Sequence, residues 1–305
     1  MPDFLTHTVF SKEVLNYINN KNLKEEIQKR MKLFILGAQG PDIFYYYFTV
    51  FPKKRERLRK IGNIMHNTKT GDFFKLGVEY ALKSGDEKHK YDLLTYMIGF
   101  ICHFYLDSTI HPFVCFCCEN GIYKKDGTLS KASHQDIETS IDIIYSREKE
   151  GKSAQKTKLY RFYDAGSIPS IVLAFLNYAL DKLFALNIPP KAIKKCMVDM
   201  RRAFLFLYDP LGLKKTLFTS LCINIPKPFY SASENSDIDW LNRKRNRWYH
   251  PEDKNESFSQ SVDELYGTAL INCSDTIAIL YQRIETKQNF DDLFPNISYI
   301  TNKHC

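Results

Sequence analysis

The sequence predicts an all-α protein, a compact multi-helix bundle. Apolar residues recur with helical spacing along most of the chain. Only 13 Gly and 12 Pro occur in 305 residues, too few for a turn-rich β protein. No pair of alternating apolar stretches reads as a hairpin, and no internal repeat is visible. A hydrophobic content of 44%, with 22 Phe and 19 Tyr, supplies a large core. The length suits one helical domain over 1–305, with a histidine-rich half at 1–150 and a second helical half at 151–305.

The elements follow in order. Residues 7–20 place Val9, Phe10, Val14, Leu15, Tyr17 and Ile18 mostly on one side, which predicts the first helix. A second helix over 23–36 is stopped by Gly37 and the Gly40-Pro41 turn. Phe44–Phe48 is an aromatic segment that suits a short helix or a strand. An amphipathic helix over 72–84 is closed by Ser84-Gly85. Residues 90–110 are apolar on nearly all sides, the mark of a central buried helix. Pro112 is expected to end it, because a proline disfavours helical geometry at the residue before it. Asn120-Gly121 and Asp126-Gly127 are turn signals. Ser133, followed three residues on by Asp136, predicts the capped start of a helix over 133–147. A charged stretch at 147–158 leads to helices over 167–187 and 191–208, closed by Pro189-Pro190 and Asp209-Pro210. Residues 224–256, rich in Pro, Ser, Asn and charge, read as a long loop that carries Trp240 and Trp248. A last helix is predicted over 257–286.

The net charge of +8 is spread over both halves. Two runs stand out, Lys53–Lys60 and Arg243–Arg247. The plain reading is a solvated helix face and a solvated loop. The functional reading is attraction to anionic headgroups or nucleic acid. No run reaches the ~18 apolar residues of a transmembrane helix. Met1–His7 lacks the basic and apolar regions of a secretion signal, so the chain reads as cytoplasmic and its eight Cys as thiols. Cys115-Phe-Cys117-Cys118 holds a single Cys-x-x-Cys spacing; without a second pair, buried structural thiols are expected.

The most informative stretch is Gly99–Pro112. It sets His103 and Asp107 one turn apart on one face of an apolar helix, with His111 where Pro112 is expected to break that helix. Burying such groups without a partner is costly. A metal ion suits an imidazole and a carboxylate at this spacing. His134 and Glu138 repeat the pattern. His66 follows Ile64-Met65, and Asp42 follows the Gly40-Pro41 turn. A lone pair of this kind is often only a helix-surface contact; two pairs with further histidines point to a shared metal cluster. His89, His250 and His304 lie in polar surroundings and are read as bystanders.

The ordered series His7, Asp42, His66, His103-x-x-x-Asp107, His111, His134-x-x-x-Glu138 resembles the bacterial zinc-dependent phospholipase C family, whose all-helical trinuclear zinc fold is shared with single-strand-specific zinc nucleases. The resemblance implies up to three Zn2+. Asp42, His66, His103 and Asp107 hold one; Asp107 bridges to a second, bound also by His7 and the N-terminal residue; His111, His134 and Glu138 hold the third. Asp42 doubles as general base or orients the attacking water. Where the secreted enzymes begin with Trp, this chain has Met1-Pro2-Asp3. Three expectations stay open there: the Pro2 amine as ligand, Asp3 as ligand, or a labile zinc.

The expected function is a metal-dependent phosphodiesterase, phospholipase C-like, in which a zinc-activated water attacks a phosphate diester. A phospholipid headgroup is the implied substrate, with Phe44, Tyr45 and Tyr46 as candidate walls of its pocket and the Trp240/Trp248 loop as a candidate peripheral membrane contact. Two alternatives stand beside it: a nuclease or nucleotidase on the same site, and a non-catalytic, metal-stabilised helical binding domain. An HD-type phosphohydrolase is disfavoured, since no His-Asp dipeptide occurs.

Overall fold

The computed structural model describes residues 4–48, 52–220 and 237–305. Among these the fold is all-α. The first half comprises α1 (Phe4–Tyr17), α2 (Lys21–Lys29), α3 (Met31–Gly37), a 3-10 helix (Gly40–Tyr46), α4 (Pro52–Asn67), α5 (Thr70–Leu82), α6 (Glu87–Asn120) and α7 (His134–Glu150). The second half comprises α8 (Ser170–Phe184), α9 (Pro190–Leu207), α10 (Leu213–Ser220) and α11 (Val262–Glu285). Two short antiparallel pairs accompany the helices: β1 (Ile122–Tyr123) with β2 (Leu129–Ser130), and β3 (Trp248–Tyr249) with β4 (Ser257–Phe258).

The central element is α6, against which α1, α3, α5, α7, α8 and α11 all pack. Glycines bring α3 close to it. A Cβ on Gly99 would lie 2.2 Å from the Phe34 carbonyl oxygen, and one on Gly37 2.1 Å from that of Tyr96. This close approach delivers the 3-10 helix, which follows α3, to the side of α6 that carries His103. By length and composition α6 could cross a membrane, contrary to the sequence expectation, yet 89% of its apolar window is buried within the protein. It is the core helix.

Pro112 does not end α6; the helix continues two turns to Asn120. The lost N–H bond costs on the order of 3 kcal/mol. Burial of Phe113, Val114, Phe116 and Cys117 beyond it offsets that loss. His111 is therefore helical and in register with Asp107.

Other expectations are corrected in detail. The helix read over 23–36 is divided at Arg30, whose backbone leaves helical geometry (φ −117°, ψ 26°) while its guanidinium reaches Asp92 of α6 at 2.7 Å. The Lys53–Lys60 run lies on a helix, α4, in line with its plain reading, whereas α10 forms where no helix was expected. Within 224–256, residues 224–236 lie outside the described residues. The rest is built, with Trp248 in the core, stacked on Phe258 at 4.5 Å and donating from Nε1 to the Gln260 carbonyl at 3.1 Å. Because β4 uses residues 257–258, α11 starts only at Val262, behind a capping box of Ser261 and Glu264. The box read at Ser133 and Asp136 is present.

Candidate metal centre

Helix α6 places His103, Asp107 and His111 at successive turns on one buried face. The two oxygens of Asp107 serve different neighbours. Oδ2 lies 3.1 Å from His103 Nε2 and 3.6 Å from His66 Nε2; Oδ1 lies 3.2 Å from His7 Nε2. Asp42 Oδ1, from the 3-10 helix, lies 3.4 Å from His66 Nε2. Two ligand-like groups result, Asp42/His66/His103 and His7/His103/Asp107. A third is set one turn along α6, where His111 meets His134 and Glu138 of α7. His134 Nε2 is 2.6 Å from Glu138 Oε1, and His111 Nε2 is 3.8 Å from the same oxygen.

Backbone carbonyls aim the imidazoles. His66 Nδ1 sits on the Gly62 carbonyl at 2.7 Å, His103 Nδ1 on that of Ala38 at 3.2 Å, and His111 Nδ1 on that of Tyr299 at 3.0 Å. With Nδ1–H donating outward, each Nε2 lone pair is left to face the cluster. Gly40 makes this possible beside His103. It adopts φ +50°, and a Cβ there would lie 2.3 Å from the His103 ring.

His7 is held from behind by α7. The buried Asp142, one turn beyond Glu138, accepts from the Leu5 amide at 3.0 Å, the Thr6 amide at 2.8 Å and the Thr6 hydroxyl at 2.5 Å. These are amides at the start of α1 that have no partner within the helix. Helix α7 thus supplies two members of the third group and fixes the element carrying His7.

Burial and neighbouring charge oppose each other at these groups. Burial opposes the Asp107 charge, but His103, His111 and His7 around it hold its carboxyl well below the usual range. Burial lowers His7 and lowers His111 strongly, and it pushes His134 down to about 3. His66 is the exception. Burial opposes its charge, yet the Asp107 and Asp42 carboxylates beside it raise it to about 9.

These residues fit a metal. Both nitrogens of His7, Nε2 of His103, both oxygens of Asp107 and Oδ1 of Asp42 are buried without a hydrogen-bond partner. Such groups rarely go unsatisfied. Their separations of 3.1–3.6 Å match the edges of a tetrahedron with ~2.0–2.2 Å bonds to imidazole nitrogen and carboxylate oxygen, about 3.3–3.6 Å. His103 Nε2 has one lone pair, so it serves only one of the two groups it borders.

All eight residues read from the sequence come together here. Their surroundings differ from expectation. Of the three aromatics after Asp42, only Tyr45 walls the cluster, its ring 6.0 Å from His66; Phe44 is core and Tyr46 packs on Phe204. The buried Trp248 cannot touch a membrane. Arg243 is taken up by Glu148 and Asp263, and Arg245 by Glu264, because these acids face the loop from α7 and α11. Cys117 is buried as expected, but Cys118 is exposed. Among the described residues no cysteine joins a candidate metal group. Pro2 and Asp3 lie outside the described residues. His250 is no loop bystander; it is buried and holds the Thr301 carbonyl at 2.7 Å. Tyr299 and Asp142 were not read from the sequence. The one local sign of the latter is that Asp142 lies four residues after Glu138, on the same face of α7.

A family model described as zinc-dependent phospholipase C matches residues 6–184, a span that contains all eight cluster residues. No curated protein and no solved structure matches the chain. With the match extending over more than half of its length, the chain belongs to the zinc-dependent phospholipase C family.

Proposed function

We propose that the protein is a zinc-dependent phosphodiesterase that cleaves the phosphodiester of phospholipids. One observation carries the reading: the buried Asp107 carboxylate turns one oxygen to His103 and His66 and the other to His7, with neither oxygen hydrogen-bonded. That is the disposition of a carboxylate shared between two ions. On this reading Asp42, His66, His103 and Asp107 hold one zinc, His7 and Asp107 a second, and His111, His134 and Glu138 a third. Zinc, when bound, neutralises phosphoryl oxygens and makes a nucleophile of water near neutral pH.

The chain's own residues then divide the work. Asp42 is partly exposed, at 13%, and its Oδ1 faces His66 Nε2 at 3.4 Å. It is placed to orient a water at the mouth of the cluster and take its proton. Tyr45 covers His66, and its hydroxyl donates to Asn63 Oδ1 at 2.7 Å. Burial and the Asp42 and Asp107 carboxylates push that phenol up, so it stays protonated. Tyr45 therefore walls the site without adding a charge that repels phosphate.

The test is metal analysis of the purified protein combined with turnover of phosphatidylcholine vesicles and of single-stranded DNA. Two to three zinc per chain, lipid turnover, and a loss of about 10²–10⁴-fold in Asp42→Asn support the reading. Turnover of DNA alone replaces it with a nuclease. Zinc binding with no turnover, and unfolding of His103→Ala, replaces it with a metal-stabilised binding domain.

A further inference from the structure

The 3-10 helix that carries Asp42 packs on one side against α4 and on the other against α9. Both flanks are unusual. On α4, Lys53, Arg55, Arg57, Arg59 and Lys60 are exposed; Lys60 pairs with Glu56 at 3.0 Å, and the rest keep a cationic face beside the cluster. At the far end of α9 the surface turns apolar. Leu205, Leu211, Leu213 and Leu217 are each more than half exposed, Leu211 at 78%. Elsewhere among the described residues, exposed large apolar side chains are spread one or two to an element.

This apolar tip is held in place. The Lys214 amine donates to the carbonyls of Phe206 at 2.9 Å and Tyr208 at 3.0 Å, fastening the start of α10 to the end of α9. Gly212, at φ +70°, makes the turn between them. The tip is also tied to the site. Asp199 of α9 accepts from the Phe48 amide at 3.0 Å just beyond the 3-10 helix, and Phe48 is itself 49% exposed. Arg201, exposed near the end of α9, adds positive charge behind the leucines, while Arg202 pairs with Asp199 at 3.1 Å.

A concentrated apolar patch marks an interaction surface. Aliphatic leucines beside a cationic face suit a lipid interface, where the chains enter the headgroup region and the cations meet anionic phosphates. They suit nucleic acid less well: the four most exposed side chains of the patch are leucines, which give bases no stacking face, against two half-exposed rings, Phe48 and Phe206. We propose that the leucines of the α9–α10 tip and the cationic face of α4 dock the protein on an anionic phospholipid surface, with the Asp42 mouth of the cluster between them. The contact serves the phospholipid-cleaving role proposed above, and it replaces the tryptophan loop as the membrane-facing part of the molecule.

The test separates docking from turnover. The zinc-loaded protein is sedimented with vesicles of phosphatidylcholine alone and of phosphatidylcholine with phosphatidylglycerol. Turnover of a water-soluble phosphocholine diester is measured in parallel. Partition onto the anionic vesicles is expected. It should fall about tenfold or more in a Leu211→Asp, Leu213→Asp variant whose turnover of the soluble diester is unchanged. An Arg55→Glu, Arg57→Glu variant should lose the preference for anionic over zwitterionic vesicles. Wild type that cleaves the soluble diester but sediments with neither vesicle overturns the docking surface and leaves the catalytic reading intact. Partition without any turnover supports docking and sinks the catalytic reading. Unaltered partition in the leucine variant, with a change from dimer to monomer in solution, overturns the proposal in favour of self-association. Binding of single-stranded DNA in place of vesicles overturns it as well.

Discussion

Tyr299 and His66 are joined twice. The Tyr299 amide donates to the His66 carbonyl at 2.8 Å, and its ring lies edge-on to the His66 imidazole at 5.2 Å. The Tyr299 carbonyl then accepts from His111 at 3.0 Å. One residue therefore braces a histidine of each of two candidate metal groups. The segment around it is itself anchored, by Ser298 to Asn67, by Asn296 to Gly71 and by Thr301 to His250.

Tyr299→Ala is expected to destabilise the protein by about 3–5 kcal/mol, as large buried aromatics do on truncation. It keeps the backbone bonds to His66 and His111 but removes the ring packed on His66, so zinc affinity should fall by less than the about 10–100-fold of losing a hydrogen-bond partner itself. Chemical denaturation and competitive zinc titration check both. Tyr299→Phe keeps the ring and the backbone, so its zinc affinity should match wild type.

Asp142→Ala leaves the Leu5 and Thr6 amides buried without an acceptor and should cost about 2–5 kcal/mol. The loosened start of α1 carries His7, so the zinc content should fall by about one per chain. Thermal unfolding and elemental analysis report the two effects separately. An unchanged zinc content in a destabilised variant would limit Asp142 to a structural role.

Gly40→Ala drives a methyl group toward the His103 ring at 2.3 Å, on backbone that already favours glycine. The expected result is loss of zinc from the group that uses His103, with the third group retained. Zinc titration of the variant shows this as a reduced stoichiometry rather than a uniform loss of affinity.

His66 gives the pH dependence. Its pKa in the metal-free protein is raised from 6.5 to about 9, so its ion pairs with Asp107 and Asp42 contribute stability that is full below pH 6.5 and is lost as pH rises through about 9. Zinc needs the neutral ring and competes with that proton. Zinc affinity should therefore climb between pH 7 and 9, with close to one proton released from His66 per chain. Calorimetry in buffers of different ionisation enthalpy counts that proton.

Removing the metal should lower the thermal transition, because Asp107 is left charged and buried among imidazoles, and zinc should restore it. A chelator series monitored by circular dichroism tests this. A transition indifferent to chelator and to added zinc would contradict the metal assignment.

The helical class, most element positions and the pairs His103/Asp107 and His134/Glu138 were legible in the sequence because they rest on local spacing, whereas His7, Asp42 and His66 entered only through the order of the series. Residues four apart on a helix share a face whatever surrounds them. The capping box at Ser133 and Asp136 is likewise a local device, and it stands where it was read.

Only the tertiary structure decided the rest. Pro112 stays within α6 because apolar side chains beyond it are buried by other elements. Trp248 is core because Phe113, 135 residues earlier, and Phe258 of the paired strand both meet it. Tyr299 reaches His66 and His111 from 233 and 188 residues away, and Asp142 reaches Thr6 from 136 away. How the two oxygens of Asp107 are divided is also a matter of three dimensions. Local spacing sets which residues can point the same way; long-range packing sets which of them meet, and no periodicity along the chain encodes that.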